Sequence, residues 1–401
     1  MADVENARTT PDGAHAFDGR ADGRFGSGPA GGPLPDGPAF DVASVRDEDE
    51  PFDALVVGGG PAGAATARTL ARAGACVLLA ERYALPRSKS CSGMLIEAAL
   101  RSIRDVFGEP VPVGARCVPD ACRGLVMYDQ QGRRQAIEQE ALNVRRDALD
   151  AWMVESAVEA GAQLREATSL VSFDEGGSCV SAVLKDAAGT QRVRARYLVL
   201  GDGVTGYLRR SKGFAGRRGT VTYQAFCEAT FDGSALDPLC FHAFLQPELS
   251  EYDAWANVKD GLLVIGVAVE DAVRIRSFHE AFYDHLHRHF GARVDRIIRV
   301  EKWAMPRVRP GCPLDLGGGR VFVVGEATGL LNPMGEGISS AVESGRAAGR
   351  AIADALAAPS FAGASPEAAR AAYEQAVLPL RHYMMRQWHA VSAMSDRFSD
   401  L

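Results

Sequence analysis

The sequence predicts an α/β fold in which a Rossmann-type dinucleotide-binding domain carries an inserted antiparallel β-sheet substrate domain and ends in C-terminal helices. Three observations predict it. A short apolar run, Asp53-Ala-Leu-Val-Val57, ends in glycines and is followed at once by a helix-forming stretch. Two more short apolar runs ending in glycine recur far downstream, at Tyr197–Leu200 and Val321–Val324. Between them, residues 221–270 are rich in aromatic and β-branched residues with Gly and Pro breaks, the pattern of an antiparallel sheet. One Rossmann domain is therefore assembled from distant segments around an insertion.

Taken in order, residues 1–50 read as a disordered tail, dominated by Gly, Pro, Asp and Ala with few large apolar residues. Asp53–Val57 is a buried parallel strand. Pro61–Ala73 is a helix stopped by Gly74, and Cys76–Ala80 is a second strand, which completes a unit of βαβ length. Arg146–Glu159 is a helix that stops near Gly161, and the strand at Tyr197–Leu200 leads into Gly201-Asp202-Gly203. Arg274–Phe290, Ser339–Ala357 and Glu367–Met394 read as helices. The expected divisions are the tail over 1–50, a first cofactor-domain part over 51–220, the sheet of the substrate domain over 221–310, a second cofactor-domain part over 311–357, and a helical segment over 358–401.

Composition narrows the function classes. The net charge of −7 sits in the tail, where residues 1–50 hold eleven acids against four bases. The remaining chain is neutral and carries no electrostatic footprint for nucleic acid. No basic start with an apolar run marks a secretory signal, and no apolar stretch is long enough to span a bilayer. A cytoplasmic location is expected, with peripheral membrane contact and oligomeric state left open. Eight dispersed cysteines form no C-x-x-C pair, so reduced thiols are the simpler expectation. His285 and His289 have the i, i+4 spacing of a metal pair, but no third ligand accompanies them and no metal site is expected.

Two motifs carry cofactor chemistry. Gly58-Gly-Gly60-Pro-Ala-Gly63 is G-x-G-x-x-G between a strand and a helix. Gly58 permits the tight turn, Gly60 lets the backbone approach a pyrophosphate, and Gly63 lets helix and strand pack closely. Glu81 ends the second strand, where a carboxylate can accept from a ribose diol, and Arg82 follows it. The second motif runs from Gly325 and Glu326 through Pro333 to Gly335 and Gly337, again between a strand and a helix. Two cradles far apart in sequence suit one long ligand such as FAD. No second complete fingerprint exists for NAD(P)H, which is expected to bind only transiently as electron donor or to be replaced by another donor.

Gly58 to Glu81, Asp202-Gly203 and Gly325 to Gly337 together resemble the FAD-dependent oxidoreductases built like p-hydroxybenzoate hydroxylase. Within them the chain is most similar to the geranylgeranyl reductase family, over roughly residues 52–355. Ser88-Lys-Ser-Cys-Ser-Gly93 resembles that family's K-x-C-G-G segment, Arg146-Asp-Ala-Leu-Asp150 its R-x-x-F-D helix start, and Ser250 to Lys259 its Y-x-W-x-F-P-K pocket segment. The resemblance implies that Asp202 contacts the ribityl or pyrophosphate region of a non-covalent FAD. Arg146 is an added cofactor contact, since guanidinium pairs well with phosphate. It implies a substrate pocket at Tyr252, Trp255 and Asn257. The chain departs from the family pattern at Glu326 in place of Asp, at Ser92 in place of Gly, and at Asn257 and Val258 in place of Phe and Pro. The last two alter an apolar wall and point to a substrate other than a plain geranylgeranyl chain.

Cys91 is the expected catalytic or gating residue. It lies in a Ser/Gly-rich loop ten residues after Glu81, flanked by Arg87 and Lys89, cations of the kind that sharpen a thiol's reactivity. The expected reaction is flavin-dependent reduction of a carbon–carbon double bond in an isoprenoid or other small apolar molecule. The same scaffold also supports a monooxygenase that hydroxylates or epoxidises an apolar secondary metabolite, a halogenase, or a flavin-binding protein without catalysis. The halogenase W-x-W-x-I-P segment is not found.

Overall fold

The computed structural model describes residues 50–206, 219–306, 312–358 and 365–399. Apart from Glu50, the expected tail over 1–50 lies outside the described residues. The chain starts with β1 (Phe52–Val57), α1 (Pro61–Arg72), β2 (Val77–Ala80), β3 (Met94–Ile96) and α2 (Glu97–Phe107). There follow β4 (Arg116–Tyr128), β5 (Arg134–Val144), α3 (Arg146–Glu159), β6 (Gln163–Arg165), β7 (Ser169–Gly176), β8 (Cys179–Lys185) and β9 (Thr190–Leu200). The middle of the chain supplies β10 (Gly219–Thr230), β11 (Cys240–Phe244), β12 (Ala254–Lys259), β13 (Leu262–Val269), α4 (Ile275–Phe290) and β14 (Arg293–Pro306). The short β15 (Gly317–Gly318) and β16 (Val321–Val323) precede the long helices α5 (Ile338–Ala357) and α6 (Pro366–Ser392). The expected helices appear with ends shifted by one or two residues, β9 begins at Thr190 where the expected strand began at Tyr197, and α2 and β3 to β8 were not expected.

The first sheet has the order β15-β16-β9-β1-β2-β6, with the hairpin of β7 and β8 attached through β9. β16, β9, β1, β2 and β6 run parallel. Its central strands are apolar at nearly every position because both faces are covered. Ala54 and Val56 face the helices, and Leu55 and Val57 face the layer built by β7, β8 and β9.

The second sheet runs β14-β10-β13-β12-β11-β4-β5-β3 and is antiparallel except where β11 lies parallel to β4. This corrects the expectation that the inserted sheet begins at 221. Three of its eight strands come from 94–144, inside the segment expected to belong to the cofactor domain. The pairing of Cys240–Phe244 with Gly124–Tyr128 joins segments more than a hundred residues apart, and nothing local in either announces it. α4 covers one face through Phe278, Phe282, Leu286 and Phe290, a stripe spaced by four residues that meets Ala254, Ala256, Ile265 and Val267. The opposite face of β12 is left for a cavity. Among the described residues no helix is long and apolar enough to cross a membrane.

Candidate functional site

The turn from β1 into α1 is fixed by backbone contacts that only glycine allows. Gly58 has φ +103°, and a Cβ on it would stand 2.5 Å from the Gly201 carbonyl oxygen. A Cβ on Gly63 would stand 1.8 Å from the Gly58 oxygen. The end of β9, and with it Asp202-Gly203, is thereby held against the glycine turn. Gly60 caps α1 in an extended conformation, no side chain caps the helix, and Pro61 brings no N–H to its first turn. The helix start, with its partial positive charge, opens onto a cavity lined by Gly58, Gly60 and Ala62.

A charged cluster stands beside this turn. Glu81 is 3% exposed, its Oε2 accepting from the Gly59 N–H at 2.7 Å and its Oε1 from the Tyr83 N–H at 3.1 Å. Arg87 bridges Glu81 at 3.4 Å and Asp150 at 3.0 Å. Arg146 donates twice to the fully buried Asp150, at 2.9 and 3.0 Å. Burial works against the Arg146 charge, but Asp150 and the neighbouring Cys91 outweigh it and hold its pKa above the ordinary value. Arg82 donates to Thr205 at 2.9 Å.

From this cluster one continuous cavity runs between the two sheets. From the first sheet and its loops come Glu81, Arg82, Asp202, Gly203, Glu326, Gly335 and Gly337; the second sheet and the bend before β12 supply Thr222, Gln224, Phe241, Asp253, Trp255 and Trp303, which form its far end from the dinucleotide motifs. The loop carrying Lys89 and Cys91 crosses the junction. It is pinned to the second sheet at three points: Gly93 accepts from the Val144 N–H at 2.9 Å, Gln224 donates to the Cys91 carbonyl at 3.2 Å, and Gly93 packs directly over Lys259. The Gly93 N–H donates to Cys91 Sγ at 3.4 Å. Lys89 Nζ sits 4.0 Å above the Trp303 ring. Burial lowers its pKa to about 8, with Glu326 acting in the opposite direction.

The cavity brings together Gly58, Gly60, Glu81, Arg82, Cys91, Arg146, Asp202, Gly203, Trp255, Glu326, Gly335 and Gly337. Other expected residues are not among its lining. Gly63 works behind the turn, and Gly325 packs α1 against α5, since a Cβ there would lie 2.7 Å from that of Ala62. Pro333 lies in the loop between lining residues Leu331 and Met334 without lining the cavity itself. The expected pocket pair of Tyr252 and Trp255 separates. Tyr252 precedes β12 in a bend and packs edge-on against Phe398 at 5.1 Å, because the bend turns it toward the C-terminal segment. Asn257 is 2% exposed and is not among the lining residues. Asp253 was missed, although it stands two residues before Trp255 and so shares its face. Gln224 and Trp303 were missed as wall residues because β10 and β14 reach the cavity only through the pairing of distant strands, and Lys89, read as a cation flanking Cys91, proves to line the cavity as well. Among the described residues no cluster could hold a metal ion, and the His285 and His289 rings simply lie 4.6 Å apart on α4.

The donor set suits a long anionic dinucleotide: an uncapped helix start, glycine backbone open to the cavity, and arginines beside it. The FAD binding domain family model matches residues 51–380. The chain belongs to the FAD binding domain family. FAD is therefore its cofactor, and the resemblance to geranylgeranyl reductases is borne out by relatives. Digeranylgeranylglycerophospholipid reductase 1 of Methanopyrus kandleri is 27% identical over 318 residues, which cover 76% of this chain and 81% of that protein. A probable electron transfer flavoprotein-quinone oxidoreductase of Escherichia coli is 33% identical over 172 residues, 41% of this chain and only 39% of that protein's length. Among solved structures, a geranylgeranyl bacteriochlorophyll reductase-like protein from Thermoplasma acidophilum superposes with a TM-score of 0.70 at 19% identity, covering 86% of this chain and 88% of that one. The flavin-dependent brominase Bmp2, as a triple mutant, gives 0.69 at 20% identity over 86% of this chain and 89% of that one. These two likenesses bear out the p-hydroxybenzoate hydroxylase-like fold and carry nothing about the reaction.

Proposed function

We propose that this FAD-dependent oxidoreductase reduces a carbon–carbon double bond of an isoprenoid or other apolar small molecule. One observation carries the reading: a single cavity is lined both by the dinucleotide motifs and by Phe241, Trp255, Trp303 and Met305, with Cys91 also in its lining. The long alignment with the digeranylgeranylglycerophospholipid reductase supports the same chemistry. Gly58, Gly60 and the start of α1 would hold the pyrophosphate of FAD, with Arg146 and Arg82 beside it. Glu81 would hold the ribose, and Asp202, Gly203, Glu326, Gly335 and Gly337 the flavin portion. Bound and reduced, FAD supplies the hydride equivalent. The chain's own residues exclude water from the chamber, orient the double bond against the aromatic wall, and deliver the proton that completes the reduction.

The FAD-loaded protein, reduced by NADPH under anaerobic conditions and given a panel of polyprenyl compounds, is expected to yield products heavier by about 2 Da, two added hydrogens balancing one two-electron reduction. Products heavier by about 16 Da that appear only with oxygen would replace this reading with the monooxygenase one.

Cys91 is proposed to hold the proton at its Sγ. Cys91→Ala is expected to lower steady-state turnover by roughly 100-fold, the scale of a lost general acid, with FAD content and the rate of flavin reduction by NADPH unchanged. Full turnover in both Cys91→Ala and Cys91→Ser would make the residue structural.

A further inference from the structure

The far end of the cavity is more polar than a hydrocarbon chain requires. β12 alternates, so Ala254 and Ala256 face α4 while Asp253 and Trp255 face the cavity. Trp255 is locked there by Gly266 on the neighbouring strand, where a Cβ would stand 2.0 Å from the indole. Among the described residues, no hydrogen bond or ion pair ends on the Asp253 carboxylate, although the residue is only 5% exposed. The indole nitrogens of Trp255 and Trp303 and the amide oxygen of Gln224 are likewise buried without partners, and all three residues line the same chamber. Leaving such groups dry costs about 1–3 kcal/mol each, so a purely apolar occupant would be a poor fit.

The sign of the missing partner follows from the charges around the carboxylate. Arg397 is the cation that acts on Asp253, but its two terminal nitrogens donate to the carbonyls of Ser250 and Leu245, and no hydrogen bond joins it to the carboxylate among the described residues. Lys89 holds its ammonium over the Trp303 ring, but the charges acting on it are Glu326, Arg146, Cys91 and Asp150, with Asp253 not among them. Burial pushes the Asp253 pKa up to about 7, the behaviour of a carboxylate short of positive charge. Phe241 and Trp255 also line the cavity, and aromatic rings attract cations.

We propose that the far end of the cavity binds a cationic amine, carried on an otherwise apolar substrate, with Asp253 as its counter-ion and Gln224, Trp255 and Trp303 around it. This assignment rests on the reductase reading for the chemistry at the other end of the same molecule. It names Asp253 as the specificity-determining residue, one that meets the substrate's head while the double bond lies toward Cys91.

The test uses two molecules that share one prenyl skeleton, geranylamine and geraniol. Their binding to the FAD-loaded protein is followed at pH 8 by calorimetry. The amine is expected to bind about tenfold more tightly than the alcohol. Asp253→Asn should erase that preference and leave geraniol affinity within about twofold, while Asp253→Glu, which keeps the charge, should retain part of it. Equal affinities in the unmodified protein, or a preference that survives in Asp253→Asn, would overturn the proposal. Neither measurement needs turnover. An amine preference without reduced product sinks the reductase reading alone, and reduced product without an amine preference sinks only this one.

Discussion

Gly63→Ala is expected to destabilise the fold severely, whereas Gly60→Val should cost the protein only its flavin. The two glycines belong to one motif but face opposite sides of it. A Cβ on Gly63 would lie 1.8 Å from the Gly58 carbonyl oxygen, a backbone atom that cannot rotate away. Relief requires moving α1 off β1, and α1 sits in the main core with Ala64, Ala65, Ala67 and Leu70 fully buried. Overpacking commonly costs about 1–3 kcal/mol, and a rigid backbone clash lies at or beyond the upper end of that range, against a typical total stability of about 5–15 kcal/mol. Gly60 is different. Its backbone is extended, any residue adopts that conformation, and the nearest heavy atom to a Cβ is the movable Arg87 Nη2 at 3.5 Å. A valine there projects into the cavity, where the pyrophosphate would lie. Circular dichroism melts and the FAD released on denaturation separate the outcomes. Gly60→Val should melt where the FAD-free parent melts and bind no FAD, and Gly63→Ala should melt many degrees lower than that or fail to fold. A Gly60→Val protein that stays yellow would remove the pyrophosphate from this position.

Asp253→Asn is expected to be more stable than the parent at pH 8, the reverse of the usual result for a buried substitution. The folded-state pKa of about 7 lies above the unfolded value near 3.8, because burial disfavours the charged form and Arg397 only partly offsets it. The charge therefore opposes folding by an amount that grows as pH rises from about 4 and is complete above about 7. Three units correspond to about 4 kcal/mol as an upper bound. An unpartnered amide in the same place returns about 1–3 kcal/mol of that, which leaves a net gain of roughly 1–3 kcal/mol. Near pH 4 the advantage should shrink below about 1 kcal/mol, since the parental carboxyl is then protonated when folded. Denaturant unfolding of the FAD-loaded variant at the two pH values tests both sign and pH dependence. A variant destabilised at pH 8 would mean that Asp253 has a partner in the folded protein. A residue that opposes stability yet faces a cavity is what a binding role would leave behind.

The sequence by itself determined the parts of this protein that rest on local physics. A glycine turn needs its glycines at fixed spacing, a doubly covered strand needs an unbroken apolar run, and a parallel crossover needs a helix between strands. Gly58, Gly60 and Gly63, the strand end at Glu81, and the second loop from Gly325 to Gly337 were therefore legible one after another. They sufficed for the FAD-binding fold, as the family match over residues 51–380 bears out. The tertiary structure alone decided which side chains share the chamber. Gln224 reaches the Cys91 carbonyl from 133 residues away, and Lys259 donates to the Val144 carbonyl from 115. β4 and β5, which fall inside the span expected to belong to the cofactor domain, prove to be strands of the second sheet. Strand pairing across such distances depends on complementarity between whole surfaces and leaves no spacing rule in either segment. Tyr252 and Asp253 make the point at the smallest scale: adjacent in sequence, one is turned by a bend onto Phe398, and the other follows the pleat of β12 into the cavity.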